Sequence, residues 1–121
     1  MANRRLLSKK VLYDDAFSTL TPAAKNLYLY MNMEADDDGF IGSMRQVLRY
    51  SGANRKSLEL LKTRGLVFEF ESGVCLIVHW HVHNTIQKDR YTPTVYTKES
   101  KKVFKNTRDI YMMLPLGKGD T

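Results

Sequence analysis

A chain of 121 residues, 43% of them hydrophobic, holds enough apolar material for one core and too little for two. Its single cysteine, Cys75, excludes an intrachain disulfide; no metal-finger spacing is present, and no run approaches the roughly 20 apolar residues of a membrane span. The formal charge of +6 points toward a polyanion and is uneven, with +4 on residues 1–13, −5 on residues 14–40 and +7 on the remainder.

The first thirteen residues read as a basic arm bearing Arg4, Arg5, Lys9 and Lys10, without the apolar stretch of a signal peptide, so a cytoplasmic setting is expected. Thr21-Pro22 then pairs an N-cap with proline at the first helical position. Ala23, Leu27, Tyr30, Met31 and Glu34 follow at helical spacing and predict a core helix from 22 to about 35. The run Asp36-Asp37-Asp38-Gly39 lacks the alternating oxygen ligands of a calcium loop and is expected to be a solvated turn.

Phe40-Ile41 is long enough for a short strand. Ser43 is expected to cap a second helix, with Met44, Val47 and Leu48 inward and Arg45, Gln46 and Arg49 outward. Gly52 stops it, and Asn54 caps a third helix whose Leu58, Leu60 and Leu61 face the core and whose Arg55, Lys56, Glu59, Lys62 and Thr63 face out, ending at Gly65. Two short helices joined at a glycine make a helix-turn-helix.

Leu66 to Phe70 and Val74 to Val82 alternate with period two and predict a hairpin. A three-residue loop, Glu71-Ser72-Gly73, sets Phe70 opposite Val74, Phe68 opposite Leu76 and Leu66 opposite Val78. Trp80 and Val82 continue the buried face in this reading. Beyond Pro93, Thr97 to Asn106 is expected to form one basic helix carrying Lys98, Lys101, Lys102 and Lys105, and Met112 to Thr121 a linker.

The chemistry is concentrated on the outward side of the third helix. An α-helix fits the major groove of B-DNA, where its N-terminal residues reach base edges; here those are Asn54, Arg55, Lys56 and Glu59. Arg45, Arg49, Lys62 and Arg64 are placed to touch phosphates, with Arg4, Arg5, Lys9 and Lys10 following the backbone from the arm. The hairpin carries Glu69 and Glu71 and no Lys or Arg, so its tip is not expected to anchor DNA; it suits a protein partner or a second copy better.

His79, His81 and His83 fall at i, i+2 and i+4, on one side of the expected strand with Cys75 and Ile77. A spacing of about 6.8 Å between such side chains is wide for three ligands on one ion, so no metal and no cofactor are expected. No serine or cysteine elbow and no glycine-rich phosphate loop is present, so no catalytic residues are assigned and the chain is not read as an enzyme. Tyr91 and Tyr96 beside Lys88, Arg90 and Lys98 suit single-stranded DNA as a further ligand, with packing against the core as the alternative.

The segments Ala35-Asp36-Asp37-Asp38-Gly39-Phe40, Phe70-Glu71-Ser72-Gly73, His79-Trp80, His83-Asn84 and Lys88-Asp89-Arg90-Tyr91 resemble the N-terminal domain of phage replisome organisers, similar in role to DnaD-type primosome proteins. The resemblance covers nearly all of residues 5 to 96. It implies a domain that binds the double-stranded phage origin as a homo-oligomer in the bacterial host cytoplasm. A further region would recruit the host helicase loader or helicase.

The expected architecture is therefore α+β: a winged helix-turn-helix with a three-helix core, a β-hairpin wing and a short third strand, plus a C-terminal basic extension. Its parts are a basic arm at 1–13, the winged-helix domain at 14–92, and at 93–121 a helical extension and linker toward a further domain. A winged-helix oligomerisation or protein-interaction scaffold and a transcription regulator are the competing functions.

Overall fold

The computed structural model describes residues 5–85 and 88–115 and has a mixed α+β architecture. Two single-turn helices, α1 (Lys9–Leu12) and α2 (Asp15–Ser18), lead into the long α3 (Pro22–Glu34). The strand β1 (Phe40–Ile41), the helices α4 (Met44–Ser51) and α5 (Arg55–Thr63) and the hairpin β2 (Val67–Glu69) and β3 (Cys75–Ile77) follow. The chain closes with α6 (Trp80–His83), a 3-10 turn at Lys88–Arg90, α7 (Thr97–Ser100) and a second hairpin, β4 (Val103–Lys105) and β5 (Tyr111–Met113). Among the described residues no helix is long and apolar enough to cross a membrane.

The local signals explain the helix ends. Thr21 Oγ1 accepts from the Ala24 N–H at 3.2 Å and Asn54 Oδ1 from the Ser57 N–H at 3.3 Å, so both act as side-chain caps. Ser43 precedes α4 without a side-chain cap bond, contrary to expectation; its backbone, at φ −118° and ψ 67°, is not in the extended form of the other two caps. After α5, the Leu66 N–H reaches Leu61 O and the Gly65 N–H reaches Lys62 O. This paired closure places Gly65 at φ 72°, where a side chain would be strained.

One antiparallel sheet runs β1-β3-β2, with Phe40 opposite Leu76 and Leu76 opposite Phe68. The three-residue loop is present as expected: the Phe70 N–H bonds Val74 O, and Gly73 stands at φ 90°. Both faces of this sheet are covered. Ile41, Val67, Cys75 and Ile77 meet the core formed by Leu27, Tyr28 and Met31 of α3, Val47 of α4 and Leu58 and Leu61 of α5. Phe40, Phe70, Val74 and Leu76 form a second cluster on the other side, flanked by Phe68 and closed over by Tyr96, Val103 and Tyr111.

Two expected elements are replaced. The strand from Val74 ends at Ile77: β1 is two residues long, and Val78 is held by single bonds on either side, its N–H donating to Leu66 O and its O accepting from the Tyr111 N–H. The backbone then satisfies itself as a helical turn, with the Val82 and His83 N–H groups both directed at His79 O. Trp80 is held inside that turn, its indole N–H donating to Asp37 O at 2.9 Å. Thr97 to Asn106 is likewise not one helix. It stops at Ser100, and the β-branched and aromatic pair Val103-Phe104 enters a hairpin with Tyr111–Met113, closed by Asn106 Oδ1 accepting from the Arg108 and Ile110 N–H groups. Met112 and Met113 therefore belong to a strand rather than to a linker, and residues 116–121 lie outside the described residues.

Candidate nucleic-acid interface

The basic surface is built on α4 and α5. Burial of Met44 and Val47 on one helix and of Ser57, Leu58 and Leu61 on the other rotates their remaining positions outward. Gly52, at φ 74°, turns the chain between them. Arg45, Arg49, Asn54, Arg55, Lys56 and Glu59 are all exposed, and among the described residues Arg45, Arg49 and Lys56 form no ion pair.

Arg55 and Lys62 are engaged. Glu69 lies two residues after Val67, on the same side of the sheet, and so points at α5. Its Oε1 accepts from Arg55 in a short bond and from Lys62 Nζ at 2.9 Å. Glu59 Oε2 lies 3.2 Å from both cations, which closes a cluster of two positive and two negative side chains. Hydrogen bonding from Arg55 holds the Glu69 carboxyl below the usual carboxylate range, and the same carboxylate raises Arg55 and Lys62. The expectation that Glu69 served an external partner is corrected: it is bound within the chain, while Glu71 remains exposed.

The other expected phosphate contacts divide. Arg64 Nη1 donates to Ala16 O at 2.9 Å and to Thr19 Oγ1 at 2.7 Å, so this guanidinium ties the end of α5 to α2. Arg5 is removed from the surface altogether, with its side chain 3% exposed. Its Nη2 donates to Ala35 O at 2.7 Å and lies 3.5 Å from Asp37, and the guanidinium stacks 5.1 Å from the Trp80 ring centre. A guanidinium so enclosed is not free to follow phosphates. Lys9 and Lys10 are exposed on α1, and Arg4 lies outside the described residues.

The acidic turn is engaged within the chain, with Asp37 buried and Asp36 and Asp38 half-buried, rather than a freely solvated turn. Asp36 Oδ1 accepts from the Asp38 and Phe40 N–H groups, and its Oδ2 accepts from the Thr94 hydroxyl at 2.5 Å. Asp37 pairs with Arg5 and accepts from the Thr92 N–H, while the Asp38 carboxylate takes the Tyr91 hydroxyl and the Thr94 N–H. Three adjacent carboxylates thus receive the strap that runs from Tyr91 to Thr94. Gly39 completes the turn at φ 93°, where an added Cβ would lie 2.7 Å from the Trp80 side chain. Tyr91 is consequently bonded through its hydroxyl, and Tyr96 is packed beside the second cluster.

Because Trp80–His83 is helical, the three histidines do not share a strand face. His79 and His81 line a cavity of about 790 Å³ with Lys10, Asp14, Arg64 and Arg108, and His81 Nε2 lies 2.9 Å from the Tyr111 hydroxyl. His83 points elsewhere. Its Nδ1 accepts from the Ser8 N–H at 2.9 Å, which assigns the ring proton to Nε2, 2.7 Å from the Tyr28 oxygen. Burial lowers all three rings, His83 to about 4, and it pushes the enclosed Cys75 thiol up to about 12, out of the nucleophilic range.

The role of Glu69 is the feature that sequence reading missed. Its signal was the period-two relation to Val67, which sends it toward the helix rather than toward solvent. No protein-family model, curated protein or solved structure matches this chain.

Proposed function

We propose that this chain is a winged-helix duplex-DNA-binding domain that lays α5 in the major groove, serving a phage replication initiator of the replisome-organiser kind. The observation that carries the reading is the exposed row Arg45, Arg49, Arg55 and Lys56 on two helices joined at a glycine, of which Arg45, Arg49 and Lys56 form no ion pair among the described residues. The packing of α3, α4 and α5 against a three-stranded antiparallel sheet supports the winged-helix assignment, with β2–β3 as the wing. The replication role rests on the resemblance of residues 5 to 96. In that role the duplex is a phage origin in the host cytoplasm, the domain works as a homo-oligomer, and a helicase loader or helicase is met through a further region. It performs no catalysis.

Fluorescence anisotropy with a labelled duplex over a salt series tests this. Four phosphate contacts give a log-log slope of about −4. A flat titration overturns the reading.

A second reading, an oligomerisation or protein-interaction scaffold, draws on the apolar stripe Leu29, Tyr30 and Met33 exposed on α3 and on Tyr50 exposed on α4. Light scattering with and without duplex separates the two, since only the scaffold assembles independently of DNA. Transcription regulation would use the same duplex chemistry at different sites.

A further inference from the structure

We propose that Glu69 sets how tightly α5 holds DNA, because it occupies the two α5 cations that a phosphate or a base edge must capture. The inference rests on the α5 reading above. Arg55 and Lys62 both bond one oxygen of Glu69, and that carboxylate is only 12% exposed on its strand. A duplex reaching α5 makes both cations exchange a carboxylate for a nucleic-acid acceptor. Glu69, little exposed on its strand, gains less water than a free surface carboxylate when it is released, and its negative charge stays beside the site.

Glu59 differs. It is 51% exposed on the helix itself and can rotate into solvent once Arg55 and Lys62 leave it. The braking group is therefore the strand carboxylate. Its effect falls hardest on DNA that offers Arg55 only phosphate, whereas a guanine presenting two acceptors compensates for the lost partner. Glu69 thus weakens random binding by opposing it rather than by improving contacts to a preferred site.

The experiment measures affinity for a random-sequence duplex in dilute salt, using the full chain. Glu69→Gln should bind about 5- to 10-fold more tightly, while Glu71→Gln, which removes the same charge from the exposed hairpin turn, changes affinity less than about 2-fold. In an Arg55→Ala/Lys62→Ala background the effect of Glu69→Gln should shrink below about 2-fold, because the residues it restrains are gone. Equal tightening by both neutralisations, or an effect that persists in that background, overturns the proposal in favour of general charge.

The unmodified protein supplies an independent readout that needs no variant to fold. The Arg55 side-chain N–H resonance should move on addition of duplex as the guanidinium leaves Glu69, and a stationary resonance overturns the proposal. Failure of the underlying reading looks different: the unmodified chain then ignores duplex altogether. If instead the chain binds and weakens on Lys56→Ala while Glu69→Gln changes nothing, only the role of Glu69 is lost.

Discussion

Arg5–Asp37 and Arg55–Glu69 are pairs of the same chemistry in opposite surroundings. Arg5 and Asp37 are sealed between the end of α3, the Trp80 ring and the strap at Thr92, with side chains 3% and 0% exposed. Arg55 reaches Glu69 across open surface, with its own side chain 56% exposed. Removing one buried partner strands a charge with no water to receive it, whereas removing an exposed one leaves a cation that hydrates at once. The interior pair therefore belongs to the architecture, and the surface pair is available for exchange with a ligand.

Asp37→Ala gives the largest expected effect, since Arg5 is left buried without its counter-charge; the loss should be about 3 kcal/mol in a urea melt. A variant as stable as the parent would show that the pair is not sealed and would erase the contrast. Next comes acidification. His83 is neutral in the folded chain and titrates near 4, against 6.5 when unfolded, so the unfolded chain binds more protons between these values. The His83 contribution is complete above pH 6.5 and falls as pH drops toward about 4, by up to about 2 kcal/mol once residual solvent access is allowed for. His83→Gln should flatten that part of the pH–stability curve; an unchanged slope would assign the loss to other groups.

Arg64→Ala should cost about 1 kcal/mol of stability through its two bonds to α2 while leaving duplex affinity within about 2-fold. A large affinity loss with little destabilisation would return Arg64 to the DNA surface. The smallest effect is expected from Arg55→Ala, which should change stability by less than about 0.5 kcal/mol because Arg55 is itself exposed and Lys62 still pairs with Glu69. Its mark belongs instead on a preferred duplex, at about 1 to 3 kcal/mol, with far less on random DNA.

Much of this molecule was readable along the chain. Thr21-Pro22, Asn54 and Gly65 delimit α3 and α5 through contacts spanning a few residues, and the alternation on either side of Glu71-Ser72-Gly73 selects the observed register. The outward set Arg45, Arg49, Arg55 and Lys56 followed from the same helical spacing. The misplacements also share a cause. Val78 to Val82 alternates as a strand should, but the pairing stops at Val78, which bonds Leu66 and Tyr111, and Trp80 folds inward onto Gly39 instead. Val103 to Lys105 was obscured by the lysines around it, Lys98, Lys101, Lys102 and Lys105, which suit an exposed helix and an exposed hairpin equally, until Tyr111 to Met113 supplied the opposing strand.

By itself, the order of residues determined the three longer helices α3, α4 and α5, where the first hairpin turns, and that the chain carries excess positive charge, because capping, periodicity and composition act over short separations. Only the folded molecule decided which charges remain outside. Arg5 meets Asp37, Arg64 meets Ala16 and Thr19, Asp38 meets Tyr91, and Glu69 meets Arg55 only when distant segments pack together. A side chain's charge is written at its own position, but its partner and its exposure to water are properties of the surrounding structure.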